Sequence, residues 1–179
     1  GHLIGGTPDA SGTPAAPMPL MDLVGMPLRD ALPRIVDLRD RHGLGRLFSA
    51  AVFVCGCFDL RLTPSARNWG RQKLVLNTRD LTMFVRHYLA RGGDPAAADI
   101  SPLMGDLGGL VPAHFVVGDA DPLLDDTLFM AARWRAAGNR ADLAVHPGGC
   151  HVFQHFPLAI AEDSNRAVDA FLLEIPPSD

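Results

Sequence analysis

Three short apolar runs, separated by segments with helical spacing, constrain the fold of this chain more than any other feature. The runs are Ser49–Val54, Ala113–Gly118 and Ala141–His146, and turn-forming or polar residues follow each of them. Continuous apolar runs of this length are typical of strands buried on both faces of a parallel sheet. Their alternation with helices predicts an α/β fold, a mostly parallel sheet flanked by helices.

The helical segments are predicted from the periodicity of apolar residues and from glycine or proline at their ends. They span residues 33–42, 77–90, a segment that begins at Asp125 or Asp126 and ends at Ala137, and 158–174. We expect one of the two aspartates to cap the third helix, with Gly138 just beyond its end. Three strands and four helices amount to about half of a doubly wound sheet, so this α/β domain is expected to be partial.

The first 32 residues differ in composition from the remainder. Prolines and glycines recur every few positions between residues 5 and 33, which forbids a long helix or a central strand there. The predicted organisation is therefore an irregular Pro/Gly-rich arm over residues 1–32, followed by a partial α/β domain over residues 33–179.

Charge and composition exclude several functional classes. The formal net charge is −4 and no block of lysine or arginine occurs, so the chain lacks the electrostatic attraction that nucleic-acid binding needs. No run of about 18 apolar residues is present, and no membrane span is therefore expected. Three cysteines are too few for a disulfide scaffold and favour a reducing compartment or simply buried thiols; the first of these predicts a cytoplasmic location.

Polar residues that follow the strands are the candidates for chemistry, because ligands of open α/β sheets bind beyond the carboxyl ends of the strands. Asp121 lies shortly after the second strand and His151 shortly after the third. An acid and a histidine on neighbouring parallel strands can meet at hydrogen-bond distance and hold the imidazole in one tautomer. We predict that Asp121 and His151 form such a pair.

Other groupings of potential ligands or nucleophiles are weaker. Cys55-Gly56-Cys57 is spaced too tightly for the usual zinc pair, so a buried strand end is the favoured interpretation. Cys150 and His151 are adjacent in extended backbone, which would direct their side chains to opposite faces. No metal and no cofactor are therefore predicted.

Several stretches make the chain recognisable. They are Asp59-Leu-Arg-Leu-Thr-Pro-Ser65, Asp99-Ile-Ser-Pro-Leu103, Val117-Gly-Asp-Ala-Asp-Pro-Leu-Leu-Asp-Asp126, Ala136-Ala-Gly138 and His146-Pro-Gly-Gly-Cys-His-Val-Phe153. Residues 59–174 resemble the C-terminal half of the α/β-hydrolase fold in the esterases similar to hormone-sensitive lipase. The resemblance implies that Asp121 is the acid, and His151 the base, of a serine-histidine-aspartate triad.

The same resemblance implies features that the chain does not show. The family carries a glycine-rich oxyanion loop and a nucleophilic serine in Gly-x-Ser-x-Gly, yet no serine here has glycine at both positions. Ser11, the nearest match, is expected to lie in a loop. Leu38-Arg-Asp-Arg41 matches a stretch that follows the elbow in the family, and Gly1-His2-Leu3 is similar to the residues just after the elbow. The resemblance therefore implies a chain that begins just past its nucleophile, with residues 4–32 replacing or interrupting the usual helix; a cloning remnant would explain Gly1-His2 equally well. Val152 stands where the family usually has glycine, and its β-branched side chain is expected to re-aim the imidazole.

These observations lead to two functional hypotheses. The first is a carboxylic ester hydrolase of the esterase and lipase type, present as a truncated or rearranged chain that lacks the nucleophile and is inactive alone. Its substrate, once the site is completed, would be a small acyl ester. The alternative is a non-catalytic half-domain that forms a homodimer or binds a complementing N-terminal fragment, because an open sheet edge favours association.

Overall fold

A computed structural model of the chain describes residues 48–90 and 92–176. The strands are β1 (Ala51–Val54), β2 (Ala113–Ala120) and β3 (Ala141–Cys150). The helices are α1 (Pro64–Asn68), α2 (Thr78–Tyr88), α3 (Leu124–Ala136) and α4 (Ala159–Leu173), with short 3-10 turns at Pro102–Met104 and Phe153–His155. The predicted arm over residues 1–32 and the predicted helix over residues 33–42 lie outside the described residues.

The three strands form one parallel sheet in the order β1-β2-β3. Ala51 pairs with Ala113, which in turn pairs with Ala141, so the strands begin at the same level and their carboxyl ends share one edge. The prediction of a parallel sheet flanked by helices is confirmed. The central strand β2 is buried along six of its eight residues, as its apolar sequence predicts.

Two strands extend further than predicted. We expected β2 to end at Gly118 and β3 to end before Pro147, but they continue to Ala120 and Cys150. An irregularity in the pairing is the reason: Gly118 pairs with His146, whereas Ala120 pairs with Cys150, so β3 uses two more residues than β2 over this interval. The extra residues form a β-bulge. The apolar pattern of the sequence could not indicate it, because that pattern does not show which residues of two strands pair.

Two of the predicted helices form as expected, whereas the short helix α1 was not predicted and α3 differs at its start. The segments predicted at residues 77–90 and 158–174 form α2 and α4. The predicted cap of α3 by Asp125 or Asp126 is wrong: both lie in the first helical turn, after Leu123, and their carboxylates bind other segments. Among the described helices, none combines the length and the apolar character needed to traverse a bilayer.

Two hydrophobic layers hold the sheet between helices. On one face, the rings of Phe53 and Phe115 stack at a centroid distance of 5.0 Å, and both contact Trp134 of α3 edge-on. On the other face, Val116 and Phe153 pack against Ala161 of α4. Because helices cover both faces of the sheet, polar side chains can cluster only at the ends of the strands.

Candidate active site

Asp121 and His151 meet at the carboxyl ends of neighbouring strands. Asp121 follows β2 directly and His151 follows β3 directly, and the distance between His151 Nδ1 and Asp121 Oδ2 is 3.0 Å. Asp121 is fully buried, while 18% of the His151 side chain is exposed. The structure therefore brings together the two residues that the sequence singled out, with the carboxylate inside and the imidazole reaching the surface.

The carboxylate of Asp121 is held in a fixed orientation. Its Oδ1 accepts a hydrogen bond from the backbone N–H of Leu123 at 2.8 Å, which leaves Oδ2 to face the imidazole. An ionised carboxylate can only accept hydrogen bonds, so Nδ1 of His151 carries the hydrogen and Nε2 is left as a proton acceptor. The pair thus has the arrangement that a general base and its orienting acid require.

The bulge in β3 creates this proximity. The backbone N–H of Gly148 donates to Asp119 Oδ1 at 2.6 Å, which ties the bulge to the end of β2. Gly118 and Gly149 let the two backbones approach so closely that a Cβ on Gly118 would lie 1.8 Å from the Gly149 carbonyl oxygen. Both glycines are therefore needed for their lack of a side chain, because any larger residue would push the strand ends apart.

Val152 adopts the backbone conformation that glycine would supply. Its φ is 51° and its ψ is 33°, in the left-handed region that β-branched residues rarely enter. We expected this residue to re-aim the imidazole of His151. The contact between His151 and Asp121 is nevertheless formed. Valine in place of the family's glycine therefore strains the backbone at residue 152 and leaves the imidazole in position.

A third side chain, which the sequence analysis did not assign to the site, adjoins the pair. Cys55 follows β1, is buried, and has a φ of 48°. Its Sγ lies within 4.8 Å of ligating atoms of both Asp121 and His151. Burial, together with the Asp121 carboxylate, raises the pKa of the Cys55 thiol to about 12. Considering all three strand ends together would have pointed to it, because Cys55, like Asp121 and His151, is the first residue after its strand.

Asp126, five positions after Asp121, is equally buried but has different partners. Its Oδ1 accepts from the backbone N–H groups of Phe58 and Asp59, at 2.7 and 3.0 Å, and its Oδ2 accepts from the Thr63 hydroxyl at 2.5 Å. Burial raises the pKa of this carboxyl, and the three hydrogen bonds act in the opposite direction. Asp126 thereby fixes the segment after β1 to the start of α3. The sequence analysis considered it only as a helix cap.

Comparison with known proteins assigns the chain to a family. Residues 32–155 match the model of a family with the α/β-hydrolase fold. An esterase of Acinetobacter venetianus is 31% identical over 99 residues, which are 55% of this chain and 31% of that protein. An acetyl esterase of Salmonella choleraesuis is 28% identical over 138 residues, which are 75% of this chain and 42% of that protein. The chain thus spans less than half the length of these curated relatives.

Solved structures show the same relationship. A thermostable carboxylesterase cloned from a metagenomic library superposes with a TM-score of 0.69 at 27% identity, over 80% of this chain and 51% of that one. An esterase of the bacterial hormone-sensitive lipase family gives a TM-score of 0.68 at 31% identity, over 75% of this chain and 46% of that one. With the family model matched over residues 32–155 and the strand-end pair in place, the chain belongs to the α/β-hydrolase fold family.

Proposed function

We propose that this chain carries the base and the orienting acid of a carboxylic ester hydrolase. The observation that supports the proposal most strongly is the 3.0 Å contact between His151 Nδ1 and the fully buried Asp121 carboxylate. The names of the relatives, which include an esterase and an acetyl esterase, agree with this chemistry. A small acyl ester is the proposed substrate class.

The roles of the two residues follow from their protonation. His151 Nε2 takes the proton of a serine hydroxyl as the serine attacks the acyl carbonyl, and then returns it to the leaving alcohol. Asp121 keeps the imidazole in the tautomer with hydrogen on Nδ1 and stabilises the imidazolium while it exists. Water then releases the acyl group by the same proton transfers.

The serine itself is proposed to come from outside the described residues. Ser65 Oγ donates to the Pro122 carbonyl and Ser101 Oγ donates to the Pro95 carbonyl, so both hydroxyls serve local structure. Ser164 is fully buried within α4. No serine of the sequence stands in a Gly-x-Ser-x-Gly elbow. We therefore propose that residues 1–179 require a further segment to supply the nucleophile and the oxyanion hole.

The first experiment measures hydrolysis of p-nitrophenyl acetate by the chain alone. We expect a rate no higher than that of free imidazole at equal concentration, because without a serine nucleophile and oxyanion donors the His151 imidazole has no advantage over the free base. A burst of p-nitrophenol followed by accumulation of an acyl-enzyme would contradict the proposal that the nucleophile lies elsewhere.

The second experiment tests the roles of the pair in a completed fold. The N-terminal half of the metagenomic carboxylesterase, with its own serine elbow, is fused ahead of residues 48–179. We expect ester hydrolysis that falls about 10⁴-fold in His151→Gln and in Asp121→Asn. His155→Gln and Asp163→Asn are the matched controls, because both side chains are exposed and neither belongs to the pair. A folded chimera that keeps its activity in His151→Gln would overturn the assignment.

A second role, association through the sheet edge, is favoured by β1. Among the described strands, β1 pairs only with β2, and Phe48 and Val54 beside its free edge are 60% and 38% exposed. An open edge of this kind is a template for pairing with another strand. Light scattering tests the idea: a dimer, or a complex with a complementing fragment, supports it, and a stable monomer with cooperative unfolding counts against it.

A further inference from the structure

One group of side chains at the strand ends combines the Asp121–His151 pair with a thiol, Cys55, that the proposed ester hydrolysis does not use. Cys55 Sγ, a carboxylate oxygen of Asp121 and a ring nitrogen of His151 all lie within 4.8 Å of one another. Each residue follows a different strand, so the sheet itself sets their separation. We propose that Cys55, Asp121 and His151 form a binding site for Zn²⁺, with water as the fourth ligand.

The types of donor select the metal. A thiolate and an imidazole favour zinc over calcium or magnesium, which require oxygen ligands. Three protein ligands with one open position form the usual set of a reactive zinc centre. Zinc–sulfur bonds of about 2.3 Å and zinc–nitrogen or zinc–oxygen bonds of about 2.0 Å place neighbouring ligand atoms about 3.5 Å apart. The largest of the distances between the three ligating atoms, which is at most 4.8 Å, therefore has to shorten by roughly 1 Å when zinc binds.

Charge balance makes the buried position suitable for a divalent cation. On binding, the Cys55 S–H bond breaks and its proton leaves to solvent, while the hydrogen of the neutral His151 ring stays on, or moves to, the ring nitrogen that does not bind the metal. Zinc forms bonds to the sulfur, to the other ring nitrogen and to a carboxylate oxygen, and it releases coordinated water. The thiolate and the Asp121 carboxylate then supply two negative charges against the two positive charges of Zn²⁺, so the occupied site is neutral. A buried charge that is neutralised in this way avoids most of the cost of desolvation.

The ligands are held in place before a metal arrives, and one side of the site is open. The Cys55 backbone N–H donates to the Val116 carbonyl at 2.9 Å, and the Leu123 N–H fixes Asp121 Oδ1 at 2.8 Å. Cys55 and Asp121 are at most 3% exposed, whereas the His151 side chain is 18% exposed. The metal would therefore enter past the imidazole, which is the ligand that can swing.

Titration of the tag-free chain with Co²⁺, followed by competition with Zn²⁺, tests the site without any measurement of ester hydrolysis. Co²⁺ reports its ligands through its spectrum. We expect one equivalent to bind with visible bands of four-coordinate cobalt and a sulfur-to-cobalt charge-transfer band, and one equivalent of Zn²⁺ to remove both. Zinc should also raise the midpoint of thermal unfolding, because it binds the folded state. Absence of the charge-transfer band in the wild-type chain would overturn the proposal.

Variants of the three cysteines identify the sulfur ligand. Cys55→Ser is expected to abolish the charge-transfer band and to weaken zinc binding at least tenfold, while Cys57→Ser and Cys150→Ser keep both properties. Asp121→Asn and His151→Gln test the other two ligands. They also replace Cys55→Ser as the test of the site if Cys55→Ser fails to unfold cooperatively and is therefore not properly folded. Wild-type zinc affinity in both of these variants, or a charge-transfer band that persists in Cys55→Ser and disappears in Cys57→Ser, would exclude this site.

Discussion

Two buried aspartates lie five positions apart, Asp121 just after β2 and Asp126 in the first turn of α3, and their surroundings differ. Asp121 faces an imidazole whose side chain reaches solvent. Asp126 faces two backbone N–H groups and a hydroxyl, all from the segment that follows β1. Both carboxylates are fully buried, so burial alone does not distinguish them.

The difference lies in what each partner is able to do. The partners of Asp126 are fixed donors that cannot change their charge, so this carboxylate joins two chain segments. The partner of Asp121 can gain and lose a proton, so this carboxylate can influence a reaction. A strongly buried acid is consequently a structural residue or a functional one according to the chemistry of its neighbours.

The largest expected effect on stability separates the two aspartates. Asp126→Ala leaves the N–H groups of Phe58 and Asp59 and the Thr63 hydroxyl without an acceptor, and should lower the free energy of unfolding by about 4 kcal/mol. Asp121→Ala leaves one buried backbone N–H, that of Leu123, without an acceptor, together with the partly exposed His151 imidazole and the weakly donating Cys55 thiol, and should cost about 2 kcal/mol. Urea unfolding at neutral pH measures both values.

A smaller substitution refines this comparison. Thr63→Val removes one donor to Asp126 with little change of shape and should cost about 1 kcal/mol. If Asp121→Ala destabilised the chain as much as Asp126→Ala does, the distinction between a structural and a functional carboxylate would be wrong.

The next effect concerns the contact between the strand ends. Gly118→Ala would place a Cβ 1.8 Å from the Gly149 carbonyl oxygen, which is backbone and cannot rotate away. We expect a loss of about 3 kcal/mol of stability, because overpacking forces the backbone to shift. The same shift should lengthen the contact between Asp121 and His151, seen by NMR as a change in the resonance of the His151 Nδ1 proton.

Gly105→Ala is the matched control for that substitution. Its Cβ would meet nothing closer than the Pro102 carbonyl oxygen at 3.3 Å, and its φ of −76° suits alanine. An unchanged His151 resonance in Gly118→Ala would show that the glycine contact does not set the geometry of the pair.

The smallest effect concerns His114, a buried titratable residue whose imidazole, unlike the carboxylates of Asp121 and Asp126, has no hydrogen-bond partner among the described residues. In the part of the chain that the structure describes, both of its ring nitrogens lack a hydrogen bond, and its ring lies 5.4 Å from that of Phe171. Burial lowers the pKa of His114; Asp142 raises it and His146 lowers it further. As pH falls below about 6.5, the unfolded chain therefore binds a proton that the folded chain resists, and stability is lost.

His114→Gln should remove this acid sensitivity while it keeps a polar side chain of similar size. Urea unfolding between about pH 7 and pH 5 should then show a shallower loss of stability than in the wild type. His87→Gln, on the exposed surface of α2, is the control and should leave the slope unchanged. A slope that is equal in the wild type and in His114→Gln would contradict the role of this histidine.

The sequence allowed the sheet, most helix positions and the meeting of Asp121 with His151 to be predicted, because each depends on local apolar patterns and on the rule that parallel strands share a carboxyl edge. The continuation of β3 through Pro147 could not be predicted in this way. It depends on a contact between Gly118 and Gly149, which are 31 positions apart, and on the Asp119 carboxylate that holds the bulge.

Cys55 and Asp126 were missed for a related reason. The motif around Cys55 was compared with zinc pairs along the chain, whereas its neighbours come from the other two strands. Asp126 was interpreted within its own helix, whereas its partners lie more than 60 positions earlier. Local patterns identify elements, and contacts between distant segments decide what a side chain does.

The irregular pairing of β3 has a consequence for how related sequences are aligned. Three residues of β2, from Gly118 to Ala120, run beside five residues of β3, from His146 to Cys150. Deleting or inserting a single amino acid there would turn His151 toward the opposite side of the sheet, because side chains alternate along a strand. We therefore expect this stretch to accept exchanges of residue type but no gaps.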